Sequence, residues 1–222
     1  MKIKVTKNGP YIVTGNIPLY EKQLYLENEL ISIKTIRQID TPKEGYALCR
    51  CGHSKTPPFC NGEHEAIRFN GEETAGHSQY LDRAQVFEGP AIDLLDDNRC
   101  AYARFCHKEK GDIWTLTDYS SDPENRREAE EAASQCPTGR LTIMLKTGQL
   151  EEPDLKPSIS IIQDSALNVS AGIFVTGGIP IEDEDGRVYE VRNRAALCRC
   201  GESQLKPFCD ATHVDAEYQD GL

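Results

Sequence analysis

One ligand pattern is written twice in this chain. Cys49, Cys51, Cys60 and His64 follow the order Cys, one residue, Cys, eight residues, Cys, three residues, His, and Cys198, Cys200, Cys209 and His213 repeat it without change. Three thiolates and one imidazole make a complete four-ligand set for a metal centre. A chain that spells such a set twice is built to hold metal.

The repetition extends upstream of the ligands. Val13-Thr14-Gly15-Asn16-Ile17-Pro18-Leu19 returns as Val175-Thr176-Gly177-Gly178-Ile179-Pro180-Ile181, and Ile159-Ser160-Ile161-Ile162 stands where Ile3-Lys4-Val5-Thr6 stood. Between this preface and the ligands the first copy carries the longer loop. Lys2–Thr6 and Ile31–Ile36 alternate as strands do, Asn8-Gly9-Pro10 signals a turn, Gly15 and Pro18 mark a bend or edge within Tyr11–Leu19, and Tyr46–Leu48 leads into the first set. The chain therefore reads as an internal repeat of a small β-rich unit with a metal motif at its end.

The residues between the repeats have a pattern of their own. Glu65–Arg83 is polar and reads as a connector. Ala91–Leu95 and Ile113–Leu116 look like strands, and Leu141–Leu145 closes the segment as another. Asp122 can cap a helix whose first turn accepts Pro123 and Glu124 and which runs from Glu124 to Gln135, ending at Cys136-Pro137. Pro153 and Pro157 mark the hand-over to the second repeat. The expected architecture is α+β: β-rich units at 1–75 and 157–222 with an inserted α+β unit at 84–150.

Composition narrows the use of this frame. Hydrophobic residues are 38% of the 222, low for one well-packed globule, so bound clusters would supply cohesion. A net charge of −11 suits neither nucleic acid nor an anionic membrane surface. The first residues are too polar for a secretory signal, and no stretch approaches the roughly 18 apolar residues that span a bilayer. The nine cysteines are then expected to stay reduced in a cytoplasmic setting, where metal use is commoner than disulfides. An odd number also disfavours a closed disulfide framework.

A Cys-x-Cys pair places both thiolates on one metal atom from an extended segment, and Cys-x-x-x-His places its two ligands on one face of a helix. Two pairs suit two irons better than one zinc, because zinc sites open with two to four residues between their first cysteines. A zinc-bound interaction module is the alternative that this spacing argues against. Both copies resemble the CDGSH-type (mitoNEET-like) iron–sulfur proteins through Cys-x-Cys-x-x-Ser-x-x-x-Pro-x-Cys and on to the histidine, including Ser54, Pro58, Ser203 and Pro207. The resemblance implies a [2Fe–2S] cluster at each motif, with Cys49 and Cys51 on one iron and Cys60 and His64 on the other, and Cys198, Cys200, Cys209 and His213 likewise. The copies depart from the family at Asn61, Ala211 and Thr212, without loss of a ligand. The family builds its β cap from a dimer, so two repeats in one chain imply an intramolecular pseudo-dimer; two tethered independent domains are the alternative. A neutral imidazole in place of a thiolate raises the reduction potential and exposes the site to acid, so both clusters are expected to bleach below about pH 6.5.

Cys100, Cys106 and Cys136-Pro137 have ferredoxin-like spacing. From about Val86 to Leu145 the chain resembles the divergent single-cluster ferredoxins, except that the usual Cys-x-x-Cys-x-x-Cys would need a cysteine where Ala103 stands. Three cysteines suit a [3Fe–4S] cluster, or a [4Fe–4S] cluster whose fourth iron has another ligand. His107 and Asp97 are options for that ligand, though each reads first as a surface residue. The alternative is three inert buried thiols. Trp114 is expected in the core beside this centre, and His53 and His77 in solvated loops. Lys55 and Lys206 could tune the nearby histidines. Arg50 and Arg199 either offset cluster charge or face solvent.

No nucleotide loop, Ser–His–Asp arrangement or flavin fingerprint is present, so no enzyme activity is expected. The expected role is a monomeric one-electron carrier between redox partner proteins. The rival is transfer of clusters to apo iron–sulfur proteins, or sensing of iron or redox state.

Overall fold

The computed structural model describes residues 1–222. In the first repeat, β1 (Lys2–Val5) and β2 (Tyr11–Thr14) form a hairpin, β3 (Leu19–Glu27) and β4 (Leu30–Ile39) a longer one, and β5 (Gly45–Leu48) runs into the first ligands, with the short helix α1 (Glu63–Ala66) after them. The middle segment comprises α2 (Tyr80–Arg83), β6 (Gln85–Glu88), β7 (Ile92–Asp96), a small ribbon of β8 (His107–Lys108) and β9 (Gly111–Asp112), α3 (Ile113–Asp118), α4 (Pro123–Gln135), β10 (Leu141–Leu145) and β11 (Leu150–Glu151). The second repeat supplies β12 (Ser158–Asp164), β13 (Val169–Thr176), β14 (Ile181–Glu182), β15 (Arg194–Leu197) and α5 (Thr212–Asp215).

The two repeats exchange strands. Each Val-Thr-Gly-x-Ile-Pro segment carries the chain out of its own hairpin and into the other repeat's sheet. After it, β3 pairs parallel with β12, Leu19 beside Ile159, and β14 pairs parallel with β1, Ile181 beside Ile3. The resulting sheets run β14-β1-β2-β5 and β15-β13-β12-β3-β4. Their inward residues fill one core of 19 buried side chains drawn from both repeats, with Ile3, Val13 and Leu48 packed in the same cluster as Ile159, Val175 and Leu197. Alternate residues of β1 and β2 point inward, as the pleat requires. The edge strand β4 is largely exposed. The β3–β4 hairpin is the extra loop of the first copy.

The middle segment has a separate core. Its sheet, ordered β11-β10-β7-β6, packs against α3 and α4, whose alanines 129, 132 and 133 allow close approach to Ile92, Leu94 and Ile143. Helix α4 starts where expected: the Asp122 carboxylate accepts from the N–H groups of Glu124 and Asn125 at 2.8 and 3.3 Å. Ile113–Leu116, by contrast, is not a strand but part of α3. The carboxylate of Asp112 accepts from the Thr115 N–H at 2.8 Å, and this cap outweighs the β preference of an Ile-Trp-Thr run. Trp114 is half-buried at the edge of that core, with the Arg140 guanidinium 5.5 Å from its ring.

One further expectation fails. His77 is not a solvated loop residue; its ring stacks on Tyr189 at 4.2 Å and meets Asp183 at 3.1 Å. The Glu65–Arg83 connector is tied to the second repeat. Thr74 and Ala75 donate to the Lys206 carbonyl at 2.9 and 3.0 Å, and Glu73 accepts from the Tyr189 hydroxyl at 2.8 Å.

Candidate metal centres

Each outer ligand set is assembled by a strand end and the loop that folds back on it. In the first repeat, the Cys49 N–H donates to the Pro58 carbonyl at 2.8 Å and the Cys60 N–H to the Ala47 carbonyl at 2.9 Å. The same two bonds, Cys198 to Pro207 and Cys209 to Ala196, recur at 2.8 and 2.9 Å. Ser54 and Ser203 hold the loop closed by donating to the Phe59 and Phe208 carbonyls. The serines are therefore loop fasteners, and they explain why the motif spells Ser at that place.

The donor atoms stand in pairs. Cys49 and Cys51 sulfurs are 3.7 Å apart, and the Cys60 sulfur is 3.4 Å from His64 Nδ1. In the second repeat the corresponding separations are 3.7 and 3.5 Å. Nowhere do three such donors converge as a single ion would require. Two donors for each of two metal atoms is the arrangement that a binuclear cluster needs and a zinc ion does not. One expectation is corrected here. Gly62 and Ala211 are the N-caps of α1 and α5, so Cys60 and Cys209 precede the helices rather than sharing a face with the histidines. Both cap residues have left-handed backbone, and this turns the cysteine back toward the ring.

The surroundings favour one thiolate in each Cys-x-Cys pair, while Cys51 and Cys200 are pushed up by the hydrogen bond to that partner and by burial. The Cys51 thiol, with the N–H groups of Ser54, Gly52 and Cys51, holds the Cys49 thiol down to about 6 against its burial. Cys200, with the N–H groups of Ser203 and Gly201, holds Cys198 down to about 7 in the same way. Backbone N–H groups gathered on one sulfur are what an anionic ligand requires. Burial pushes Cys209 up, so its thiolate depends on a bound cation.

The two centres are neighbours but not equals. Gly52 sits with φ +79°, where a Cβ would lie 2.3 Å from the Cys200 carbonyl oxygen, and Gly201 faces the Cys51 oxygen reciprocally at 2.6 Å. All four ligands of the second centre are buried, whereas Cys60 and His64 of the first are only half-buried. Lys55 pairs with Glu63 at 3.0 Å and Lys206 donates to the Ser203 carbonyl at 2.8 Å. Both ammonium groups are thus engaged away from the imidazoles.

In the middle segment Cys100, Cys106 and Cys136 line one cavity, together with Ala103, Thr138 and Arg140. Thiols ringing a space rather than meeting at a point fit a polynuclear cluster, where each binds its own iron. Burial, with Cys136 and Cys100 nearby, pushes the Cys106 thiol up to about 11. Neither Asp97 nor His107 lines this cavity, and Asp97 is paired with Arg83 at 2.9 Å. Arg140, which lines the cavity and binds Asp96 at 2.5 Å, is a neighbour that spacing rules could not reveal.

Two family models match the segments that contain these cysteines and histidines. The model for the iron-binding zinc finger of CDGSH type matches residues 8–65 and 171–214, and that for the divergent 4Fe-4S mono-cluster matches 87–146. No curated protein and no solved structure matches the chain. The chain thus carries two CDGSH-type iron-binding segments that flank a divergent 4Fe–4S mono-cluster segment.

Proposed function

We propose that this protein is a one-electron carrier holding a [2Fe–2S] cluster at each outer ligand set and a [3Fe–4S] or three-cysteine [4Fe–4S] cluster in the middle, working between redox partner proteins and not as an enzyme. The observation that carries it is the repeated pairing of donors, sulfur with sulfur at 3.7 Å and sulfur with imidazole at 3.4 and 3.5 Å. A bound cluster supplies a one-electron couple, raised in potential where histidine replaces cysteine. The chain's own part is rigidity. The Ser54 and Ser203 fasteners, the reciprocal glycine contacts and the shared core keep the ligand loops in one geometry, which lowers the cost of changing oxidation state. Strand exchange across β3–β12 and β1–β14 supports an intramolecular pseudo-dimer rather than tethered domains.

Iron, sulfide and zinc per chain, measured on anaerobically purified protein, test this reading. About seven or eight irons with matching sulfide is the expected result. Zinc in their place would overturn it. The half-buried Cys60 and His64 favour one second reading, transfer of the first cluster to an apo iron–sulfur protein. Movement of that cluster to an apo-ferredoxin on mixing would select it over electron exchange.

A further inference from the structure

Arg50 and Arg199 hold the same place in the two repeats, between the cysteines of each Cys-x-Cys pair, and both are 1% exposed. A guanidinium does not lose its proton in a protein. Each is therefore a full positive charge inside the molecule, and such a charge needs compensation. The repeats provide it differently.

Arg199 is answered by a carboxylate. Its Nη1 pairs with Asp220, whose side chain is 3% exposed. Its Nε and Nη2 donate to the carbonyls of Ala171 and Ile162 at 2.9 and 2.7 Å. Arg50 finds no carboxylate: its hydrogen bonds go to the carbonyls of Gly9 at 2.8 Å, Gly71 at 2.8 Å and Thr6 at 2.9 Å, with the neutral rings of Phe69 and Tyr11 at 5.3 and 5.7 Å. The offset that relates Cys49 to Cys198 and His64 to His213 also relates Gly71 to Asp220. So the position that carries an acid in the second repeat carries no side chain in the first. A Cβ there would lie 2.3 Å from Arg50 Nη2, so the backbone itself fills the space a carboxylate would need. Glu73 feels the charge of Arg50, but its oxygens are taken by the Glu184 N–H at 2.7 Å and the Tyr189 hydroxyl at 2.8 Å.

The residues that flank Arg50 in the chain are the ligand cysteines Cys49 and Cys51. We propose that Arg50 is the counter-charge of the first metal centre, while Asp220 neutralises its twin Arg199, so that two identical ligand sets differ in charge and the first centre is the more easily reduced. This rests on the reading that both sets hold histidine-ligated iron–sulfur clusters. Reduction adds a negative charge, which an uncancelled cation in a low-dielectric interior favours and a neutral Arg–Asp pair does not. Around His213, Arg104 is likewise cancelled by Asp164 at 2.8 Å.

The test is a redox titration of the holoprotein followed by electron paramagnetic resonance, with His64→Cys and His213→Cys samples assigning the two signals. At the potential where the first centre is half reduced, the second is expected to be about tenfold less reduced, which for one electron is about 59 mV. Asp220→Asn keeps the oxygen that accepts from Gln163 and Ser170 but removes the charge. It should raise the second centre's reduced-to-oxidised ratio about tenfold and leave the first unmoved. Arg50→Met should lower the first centre's ratio, Arg50→Lys should preserve it, and Arg199→Met combined with Asp220→Asn should leave the second nearly where it began. Equal potentials in the parent protein, or an Asp220→Asn variant that shifts neither centre or both alike, would overturn the proposal. Iron and sulfide are measured on every sample. Their absence from the parent would remove the cluster reading itself, whereas full iron with unmoved potentials would refute only the charge asymmetry.

Discussion

The hydroxyl of Tyr11, in the first repeat, lies 2.8 Å from the carbonyl of Cys198 and 2.9 Å from that of Pro207, so its one proton is shared between two backbone oxygens of the second repeat's ligand loop. Burial pushes its pKa well up, which keeps that proton in place. The corresponding residue of the second repeat is Ile173, and the tie runs in one direction only. Tyr11→Phe leaves buried carbonyls short of a donor at a cost of about 1–3 kcal/mol. Chemical denaturation should report that loss, and a chelator should draw iron faster from the second centre than from the first. Equal extraction rates would show that the tie does not support the second loop.

Acid should act on the centres in sequence. His213 is 3% exposed, and burial, aided by Arg199, pushes its imidazole down to about 4. Asp164 and Asp210 face it and oppose that shift, and Arg104 adds to it. The folded chain keeps this ring neutral while the unfolded chain protonates near 6.5. The resulting stability is therefore complete above about 6.5 and is lost as pH falls toward 4. Only the neutral ring can ligate. His64 is only half-buried, so solvent reaches the first centre more readily than the second. Visible absorbance should therefore bleach in two steps, the first centre at higher pH. His64→Cys should remove the upper step alone, and a single step in the parent protein would contradict the argument.

Arg194 is the joint between the second repeat and the middle segment. It is 2% exposed, donates to the carbonyls of Ala133 and Cys136 at 2.5 and 2.9 Å, and pairs with Glu152 at 2.9 Å. It thus caps the carboxyl end of α4, where a positive charge is favoured. Arg194→Met strands these carbonyls and the carboxylate, at roughly 3–5 kcal/mol. Calorimetry should show a melting midpoint lower by about 10 °C. A change of a degree or two would mean that the joint relaxes without it.

These contacts mark where the sequence stopped being informative. The ligand spacing, the repeated Val-Thr-Gly-x-Ile-Pro segment and the Asp122 cap are local patterns, and their consequences are local. The exchange of β3 and β14 between repeats is not, because parallel pairing leaves no turn signal to read. Leu19–Glu27 alternates too weakly to stand out as a strand, since half of it faces solvent. Ile113–Leu116 carries the β-branched and aromatic residues of a strand, yet the Asp112 cap before it starts a helix. The burial of Arg50 and Arg199 was undecidable from neighbours in sequence, since their partners lie 21 to 44 positions away.

Ala103 shows how far the middle centre departs from a four-cysteine ferredoxin. It is buried and lines the same cavity as Cys100, Cys106 and Cys136, at the place where a Cys-x-x-Cys-x-x-Cys run would carry its second thiol. A four-iron cluster held there by three thiolates has one iron without a cysteine, and that iron is the first to leave on oxidation. Ala103→Cys supplies the missing ligand on the wall of that cavity. Mild oxidation of the parent should therefore yield the magnetic resonance signal of a three-iron cluster, while the variant should retain its iron and give none. If both lose iron alike, position 103 does not face the open corner, and Thr138, whose hydroxyl lies 3.3 Å from the Cys136 sulfur, becomes the next position to replace with cysteine.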